Sequence, residues 1–169
     1  SWALLGRQDL RAAEDTLRRW MSAAAMVQSG AAGGVVAVVA ESVIPTVQAL
    51  IKWDPVGHAE AELAARTEVG LPPAVHIAAI DGAGAAVAAL IEQAGLPAEA
   101  ELLGPVDLPA GVRRPAGSVP GDQAVRMLIR VRRDEGLALA AVLRQAISVR
   151  SARHDDDAVR VQIDPVHVG

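Results

Sequence analysis

The chain has 169 residues, which is enough for one full domain or for one domain with part of another. Hydrophobic residues make up 51% of it, but its aromatic residues are 3 Trp with no Phe or Tyr, so aliphatic side chains must fill the core. The lack of cysteine excludes disulfides, thiolate catalysis and cysteine-based zinc sites. No apolar run approaches the ~20 residues of a membrane span, and no segment has the pattern of a signal peptide. These features predict a soluble, cytoplasmic protein without a membrane partner.

The net charge of −4 hides a strong asymmetry along the chain. Residues 1–112 carry 6 basic and 13 acidic groups, whereas residues 113–154 carry 9 arginines and 3 carboxylates. Residues 155–169 are acidic again, with 1 basic and 4 acidic groups. A basic segment within an acidic chain indicates either an anion-binding surface or a solvated arginine-rich surface, and composition alone leaves both open.

The first elements in chain order are predicted to be a helix, a strand and two helices. Apolar residues recur at three- and four-residue spacing in the first of them, which is typical of an amphipathic helix. The second is a valine-rich run with the length of a buried strand, and a proline opens the third in its first turn. The predicted ranges of these four elements are 10–27, 35–40, 45–53 and 57–69.

After the double proline at Pro72-Pro73 the order of elements changes. Alternating apolar residues predict four strands, and the longer apolar-periodic segments predict two helices. Their order, β-α-β-β-α-β, is that of the ferredoxin-like fold, an α/β arrangement of the α+β class. The chain is therefore divided into a mostly helical part, 1–72, and a ferredoxin-like domain, 73–169. The strands are predicted at 75–80, 102–108, 125–132 and 159–164, and the helices at 83–94 and 135–150.

Alternation along the third of these strands assigns its side chains to two faces of the sheet. Four apolar residues are expected to face the helices: Val125, Met127, Ile129 and Val131. The arginines of the same strand are expected to point to the opposite, uncovered face. A Pro/Gly-rich connection at 109–122 brings further arginines near that face if it folds back. The candidate residues for binding DNA phosphate or carboxylate are Arg126, Arg130, Arg132, Arg133, Arg113 and Arg114.

The chemistry of this arginine face leaves two kinds of ligand open. The face has no aromatic residue on which bases could stack, so sequence-specific base recognition is not expected. Arginine contacts to phosphate would be salt-dependent and tolerant of sequence. The same guanidinium groups match carboxylates, so an acidic protein tail is an equally suitable ligand.

No motif of the chain predicts catalysis or a cofactor. The chain has no G-x-x-x-x-G-K-[ST] loop, and Gly82-Ala83-Gly84 is interpreted as a strand-to-helix turn. Its four histidines lie on different predicted elements, without the spacing of metal ligands. Residues 154–157 (His-Asp-Asp-Asp) could attract a divalent cation, but a polar loop is the favoured interpretation. No catalytic residue, metal site or cofactor is assigned, and the chain is expected not to be an enzyme.

Four short sequence features follow one another along the chain from Arg66 onwards. Arg66 precedes Leu71-Pro72-Pro73, and Leu103-Gly104-Pro105 comes next. Arg126 enters the third predicted strand, and Asp164-Pro165 lies near the end. In this order the features resemble the C-terminal region of the primosomal protein N′ (PriA) family of replication-restart helicases.

The resemblance implies a protein that recognises stalled replication forks and helps to reload the replicative helicase. In that family the C-terminal domain contacts branched or single-stranded DNA, and it lies near the site for the acidic tail of single-stranded DNA-binding protein. The resemblance also implies that residues 1–72 are the end of a RecA-like helicase lobe, on the basis of residues 33–39 and 45–51.

The chain departs from the family pattern at three places. Where the family has an arginine-bearing helicase motif, residues 21–28 contain no arginine, which implies a parent with degenerate helicase function. The aromatic residues that usually follow the double proline and the strand arginine are Ala74 and Met127 here. These two replacements remove stacking contributions to DNA binding, while the arginines remain for phosphate.

Alternatives to DNA binding stay open. The domain could be a docking module for the acidic tail of single-stranded DNA-binding protein, for other primosome proteins or for the helicase body. An enzymatic or small-molecule regulatory role is the weakest interpretation. The first residue is not Met, which favours a piece of a longer protein, and the apolar face of residues 1–72 could pair with a second copy to form a homodimer.

Overall fold

The computed structural model describes residues 10–109, 111–118, 123–153 and 157–166. The chain divides into two compact units, Ser1–Glu68 and Val69–Gly169. The division predicted from the sequence, 1–72 and 73–169, lies a few residues further along. None of the helices in the described ranges is long and apolar enough to cross a membrane.

The first unit is built from three helices: α1 (Ala12–Ala24), α2 (Pro45–Lys52) and α3 (Pro55–Val69). The predicted apolar stripe of α1 packs on α2, where Leu17 contacts a small buried cluster with Ala49 and Leu50. Trp20 and Met21 pack against the same cluster from the side. The three helices predicted from periodicity and from the proline in the first turn of α2 are thus confirmed, with α3 beginning two residues earlier than expected.

The predicted strand at 35–40 is wrong for this structure. These residues form neither helix nor strand, and no strand lies within the described residues of the first unit, so none can pair with them. A strand is stabilised by hydrogen bonds to a neighbouring strand. The valine-rich composition of residues 35–40 favours a strand but does not provide that neighbour. Val35 and Val39 are instead 80% and 95% exposed. Residues 35–40 border a groove that is also lined by Trp20 and Val27, here called the valine groove.

The second unit has the predicted order of strands and helices. The four strands form one antiparallel sheet in the order β2-β3-β1-β4, with both helices packed on one face. This is the ferredoxin-like β-α-β-β-α-β arrangement. Its elements are β1 (Val75–Ala83), α4 (Gly84–Ala94), β2 (Glu101–Asp107), β3 (Ala124–Arg132), α5 (Gly136–Arg153) and β4 (Val159–Ile163).

The core of the second unit lies between the sheet and its helices. Ala78 and Ile80 of β1 and Ile129 and Val131 of β3 are buried there, against leucines of α4 and α5. Val125 and Met127 of β3 pack on the same cluster, which confirms the predicted inward set Val125, Met127, Ile129 and Val131. Alternation predicted these inward positions correctly because successive side chains of a strand point to opposite faces of the sheet.

A polar contact joins the start of β1 to the residues that follow β4. The Nδ1 of His76 lies 2.7 Å from a carboxylate oxygen of Asp164, whose other oxygen accepts a hydrogen bond from the backbone N–H of Ile77 at 3.0 Å. The imidazole ring of His76 lies against Gly136, the first residue of α5. A Cβ atom added to Gly136 would come within 2.7 Å of Cγ and 2.8 Å of Nε2 of that ring.

Gly136→Ala should therefore destabilise the second unit. Ala is the better helix former by roughly 1 kcal/mol, but overpacking against a ring held by Asp164 typically costs about 1–3 kcal/mol. Gly84→Ala is the matched control, because Gly84 opens α4 and an added Cβ there has no neighbour closer than 4.0 Å. Urea denaturation should show a lower midpoint for Gly136→Ala alone. Equal midpoints for the two variants would contradict the close packing of His76 on Gly136.

Candidate anion-binding site

Three charged residues on adjacent strands form a row on the sheet face opposite the helices. Asp81 of β1 pairs in register with Arg126 of β3 and with Arg160 of β4. Arg126 donates from Nε to Oδ1 of Asp81 at 2.8 Å and from Nη2 to Oδ2 at 3.0 Å. Arg160 donates from Nη2 to the same Oδ2 at 2.6 Å. One carboxylate is therefore shared by two guanidinium groups.

The centre of this row is buried. Asp81 is 0% exposed and Arg126 is 1% exposed, so both charges have left water. Burial raises the pKa of Asp81, but the hydrogen bonds and positive charges of Arg126 and Arg160 outweigh it, and the pKa of this carboxyl lies below its usual value. Asp81 is consequently ionised in the folded protein at neutral pH.

The sequence predicted that Arg126 points to an uncovered face of the sheet, and the structure shows that this face is covered around Arg126. Arg126 does point away from the helices, but that face is covered at its centre, where Ile77 and Ala79 are also almost fully buried. The described part of the 109–122 connection passes beside β4, because a Cβ atom added to Gly117 would lie 3.6 Å from the Cβ of Ala158. Arg126 is therefore held by Asp81 inside the protein and offers a ligand almost no surface.

Arg130 lies on the same face and is also matched by a carboxylate. It faces Glu101 of the neighbouring strand β2, and both its Nε (3.1 Å) and its Nη2 donate to Oε2 of that residue. Its Nη1 donates to the backbone carbonyl of Gly70 at 3.4 Å. The side chain of Arg130 keeps 28% of its surface exposed, so it is intermediate between Arg126 and the residues at the end of the strand.

Arg132 and Arg133, at the end of β3, are the exposed members of the predicted set. The side chain of Arg132 is 66% exposed; it contacts Asp134 at 3.2 Å and Glu99 at 3.8 Å. The hydrogen bond and charge of Asp134 raise the pKa of Arg132, which stays positively charged. Arg133 has no ion pair in the part of the chain that the structure describes. Both arginines line a shallow cleft with Ala74, Val75 and Asp134, here called the arginine cleft.

The remaining predicted residues are not brought to this cleft. Arg113 and Arg114 are exposed in the connection between β2 and β3, and neither lines the arginine cleft. Of the possible cation-binding run 154–157, residues 154–156 lie outside the described residues. Over the ranges that the structure describes, no group of three or more His, Asp or Glu residues is placed to hold a metal ion.

Sequence reasoning missed the carboxylates that pair with these arginines. The first strand is predicted from the sequence to end at Ile80, one residue before Asp81, whereas β1 continues to Ala83. Extending β1 by one residue would have placed Asp81 on the side opposite the core, together with the arginines. Glu101 could also have been found, because it begins the strand that pairs with β3. Arg160 lies on the same face but is not among the residues predicted to bind an anion.

Comparison with known proteins places the second unit in one family. Residues 67–166 match the family described as the primosomal protein N C-terminal domain. Over its whole length the chain is 68% identical to a "Probable replication restart protein PriA" of Mycobacterium tuberculosis (strain CDC 1551 / Oshkosh), of which it covers 27%. It is 64% identical to the protein of the same name from Mycobacterium leprae (strain TN), of which it covers 26%. The chain thus spans about a quarter of the length of these curated relatives.

Asp81→Asn should strongly destabilise the chain. The neutral amide would leave Arg126 buried without its counter-charge, and breaking a buried ion pair in this way typically costs about 3–5 kcal/mol. Asp134→Asn is the control, because the Arg132–Asp134 pair is exposed and such pairs contribute about 0–1 kcal/mol. Urea denaturation at pH 7 measures both variants. An Asp81→Asn protein as stable as the wild type would contradict the structural role of the pair.

The same pair should make stability depend on pH in a defined direction. The folded-state pKa of Asp81 lies below its unfolded value. Its stabilisation is therefore complete above about pH 4, the usual value for Asp, and is lost as pH falls through the folded-state pKa. Urea midpoints measured between pH 7 and pH 3 should fall more steeply for the wild type than for Asp81→Asn. Parallel curves would show that Asp81 titrates alike in the folded and unfolded chain.

Proposed function

The chain belongs to the family of primosomal protein N C-terminal domains, and we propose that it serves replication restart as a module that binds the backbone of branched or single-stranded DNA. The role in restart follows from the name of its relatives, and the chain corresponds to about a quarter of their length. The observation that carries DNA contact is the arginine cleft, with Arg132 and Arg133 exposed side by side at the end of β3.

The energies of the two kinds of ion pair decide which arginines are available. Removing a partner from the buried Asp81–Arg126 pair costs about 3–5 kcal/mol, so a ligand cannot displace Asp81 at low cost. The exposed Arg132–Asp134 pair contributes about 0–1 kcal/mol, so a phosphate can take the place of that carboxylate. Arg133 needs no exchange of partner. The arginine cleft is therefore the part of the predicted set that is suited to phosphate.

The expected mode of DNA binding is independent of sequence. The residues of the arginine cleft include no aromatic side chain for stacking and no amide side chain for reading a base edge. Guanidinium groups bind phosphate oxygens through paired N–H donors, and each such contact releases counterions. Affinity should therefore depend on salt and on backbone geometry rather than on base identity.

A docking role is the second candidate, and the contacts of Arg132 favour it. That side chain already lies within 4 Å of two carboxylates, those of Asp134 and Glu99, so the cleft suits carboxylate as well as phosphate. Ala74 and Val75 add apolar surface beside the two arginines. An acidic peptide tail, such as that of single-stranded DNA-binding protein, would use the same cleft without DNA. Catalysis is part of neither candidate, and nucleotide hydrolysis by the chain is not expected.

Replacing both cleft arginines, Arg132→Ala with Arg133→Ala, should weaken binding to a labelled three-way fork. Each lost phosphate contact lowers the slope of log K against log salt by about 0.7 to 0.9, so the double variant should lose roughly 1.4 to 1.8. The matched control is Arg144→Ala with Arg153→Ala, which removes the same charge from exposed positions of α5. Fluorescence anisotropy at several salt concentrations gives both slopes.

The outcomes of that titration separate the two candidates. A reduced slope for the cleft variant, with a control close to the wild type, supports DNA contact at the arginine cleft. An equal loss in both double variants would indicate only nonspecific attraction to net charge. If the wild-type chain does not bind the fork at low salt, an aspartate-rich peptide becomes the ligand to titrate, and its binding through Arg132 and Arg133 would establish the docking role instead.

From the exposed valines of the valine groove we infer a further partner, a second copy of the chain. Monomeric proteins rarely expose large contiguous apolar patches, and Val35, Val39 and Val43 are each at least 80% exposed along one segment. Pairing of two such segments would also satisfy their unpaired backbone groups.

Val39→Asp should therefore shift the chain from dimer to monomer in analytical ultracentrifugation, because dimerisation would bury the new charge. Leu137→Asp, at an exposed apolar position of α5 in the second unit, is the control and should leave the dimer intact. A wild-type chain that sediments as a monomer over the whole accessible concentration range would exclude this partner.

A further inference from the structure

We propose that Arg160 is an additional phosphate-binding residue of the second unit, positioned by Asp81 and reached from the edge of the sheet at β4. The proposal rests on the proposed DNA-binding function and adds a contact outside the arginine cleft. Arg160 is separated in sequence from the arginine-rich segment 113–154, and only the fold brings it to the face on which Arg126, Arg130 and Arg132 lie.

Arg160 has unused hydrogen-bonding capacity. Arg126 donates to both oxygens of Asp81, whereas Arg160 reaches that carboxylate through Nη2 alone. The Nε of Arg160 is buried and has no hydrogen-bond partner. A guanidinium group carries five N–H donors in a fixed plane. Since Nε is buried, the donors of Arg160 that remain for an incoming acceptor are those on its two Nη atoms.

The position of Arg160 makes it both ordered and accessible. Its side chain keeps 29% of its surface exposed, whereas the Asp81 to which it is bound is fully buried. The contact with Asp81 fixes the guanidinium group, so less side-chain entropy is lost when a ligand binds. A charge at the edge of a buried cluster is also less screened by water than a fully exposed one, which strengthens its attraction for an anion.

The charges of Arg126, Asp81 and Arg160 favour the binding of an anion at Arg160. The bidentate contact of Arg126 already matches the charge of Asp81 with a guanidinium group, and Arg160 shares that carboxylate as a second cation. Within the described residues, Asp81 is the one carboxylate that forms an ion pair with Arg160. An incoming phosphate oxygen would supply the missing negative charge and accept from the unused N–H donors.

The register of the sheet favours an extended polyanion over a small anion. Arg160 lies opposite Asp81, and Arg132 lies opposite Val75, six residues away along β1 on the same face. At about 3.4 Å per residue these two rows are roughly 20 Å apart. A DNA strand carries one charge per about 3.4 Å of duplex axis, so a single strand presents phosphates to both positions. Arg160 and the arginine cleft would then contact separate phosphates of one backbone.

Arg160→Ala tests this assignment in the full chain with the labelled three-way fork. Losing one phosphate contact should lower the slope of log K against log salt by about 0.7 to 0.9. Arg160→Lys keeps the charge without the planar group and should recover most of that slope. The urea midpoint should fall less in either variant than in Asp81→Asn, because Arg126 still pairs with both oxygens of Asp81.

Each outcome bears on the proposal. A lower slope for Arg160→Ala, with recovery by lysine and a urea midpoint well above that of Asp81→Asn, supports a direct phosphate contact. A wild-type slope for Arg160→Ala, alongside a reduced slope for the cleft double variant, overturns the role of Arg160 and leaves the proposed function standing. A wild-type chain that does not bind the fork removes both. Weaker binding that follows a lower urea midpoint, without recovery by lysine, would make Arg160 a structural residue only.

Discussion

The shared carboxylate of Asp81 is the contact on which the arrangement of the second unit depends. It lies on the central strand β1 and joins β3 to β4 through Arg126 and Arg160, on the face that the helices do not cover. A buried ion needs a partner and satisfied hydrogen bonds, because the cost of taking it out of water is several kcal/mol. Asp81 and Arg126 meet this need for each other, and Arg160 extends the cluster from β1 to β4.

Burial divides the arginines of the domain into those that hold the fold and those that remain for a ligand. Arg126 belongs to the first group, and Arg132 and Arg133 belong to the second. Arg160 takes part in both, since it contacts the buried carboxylate and still reaches solvent. The count of arginines in the sequence therefore overstates the positive charge offered to DNA, because Asp81, Glu101 and Asp134 balance much of it.

The secondary structure of the second unit could be predicted because its signals are local: alternation in β3, turns at glycine and proline, and helical periodicity in α5. The sites could not be predicted as well, because pairing partners depend on register between distant strands. Asp81 was missed because β1 was predicted three residues too short, and Arg126 was consequently placed in solvent. The wrong strand at 35–40 also reflects pairing that the sequence does not show. Its valines are typical of a strand, but the described residues of the first unit contain no strand with which it could pair.

The division of the arginines can be measured directly by NMR of their Nε–H groups during a titration with fork DNA. The Nε–H of Arg126, hydrogen-bonded to a buried carboxylate, should exchange slowly with water and keep its chemical shift when DNA is added. The Nε–H signals of Arg132 and Arg133 should exchange rapidly in the free protein and shift on binding. A rapidly exchanging Arg126 signal that moves with DNA would contradict the account, because it would place this arginine at the ligand rather than in the fold.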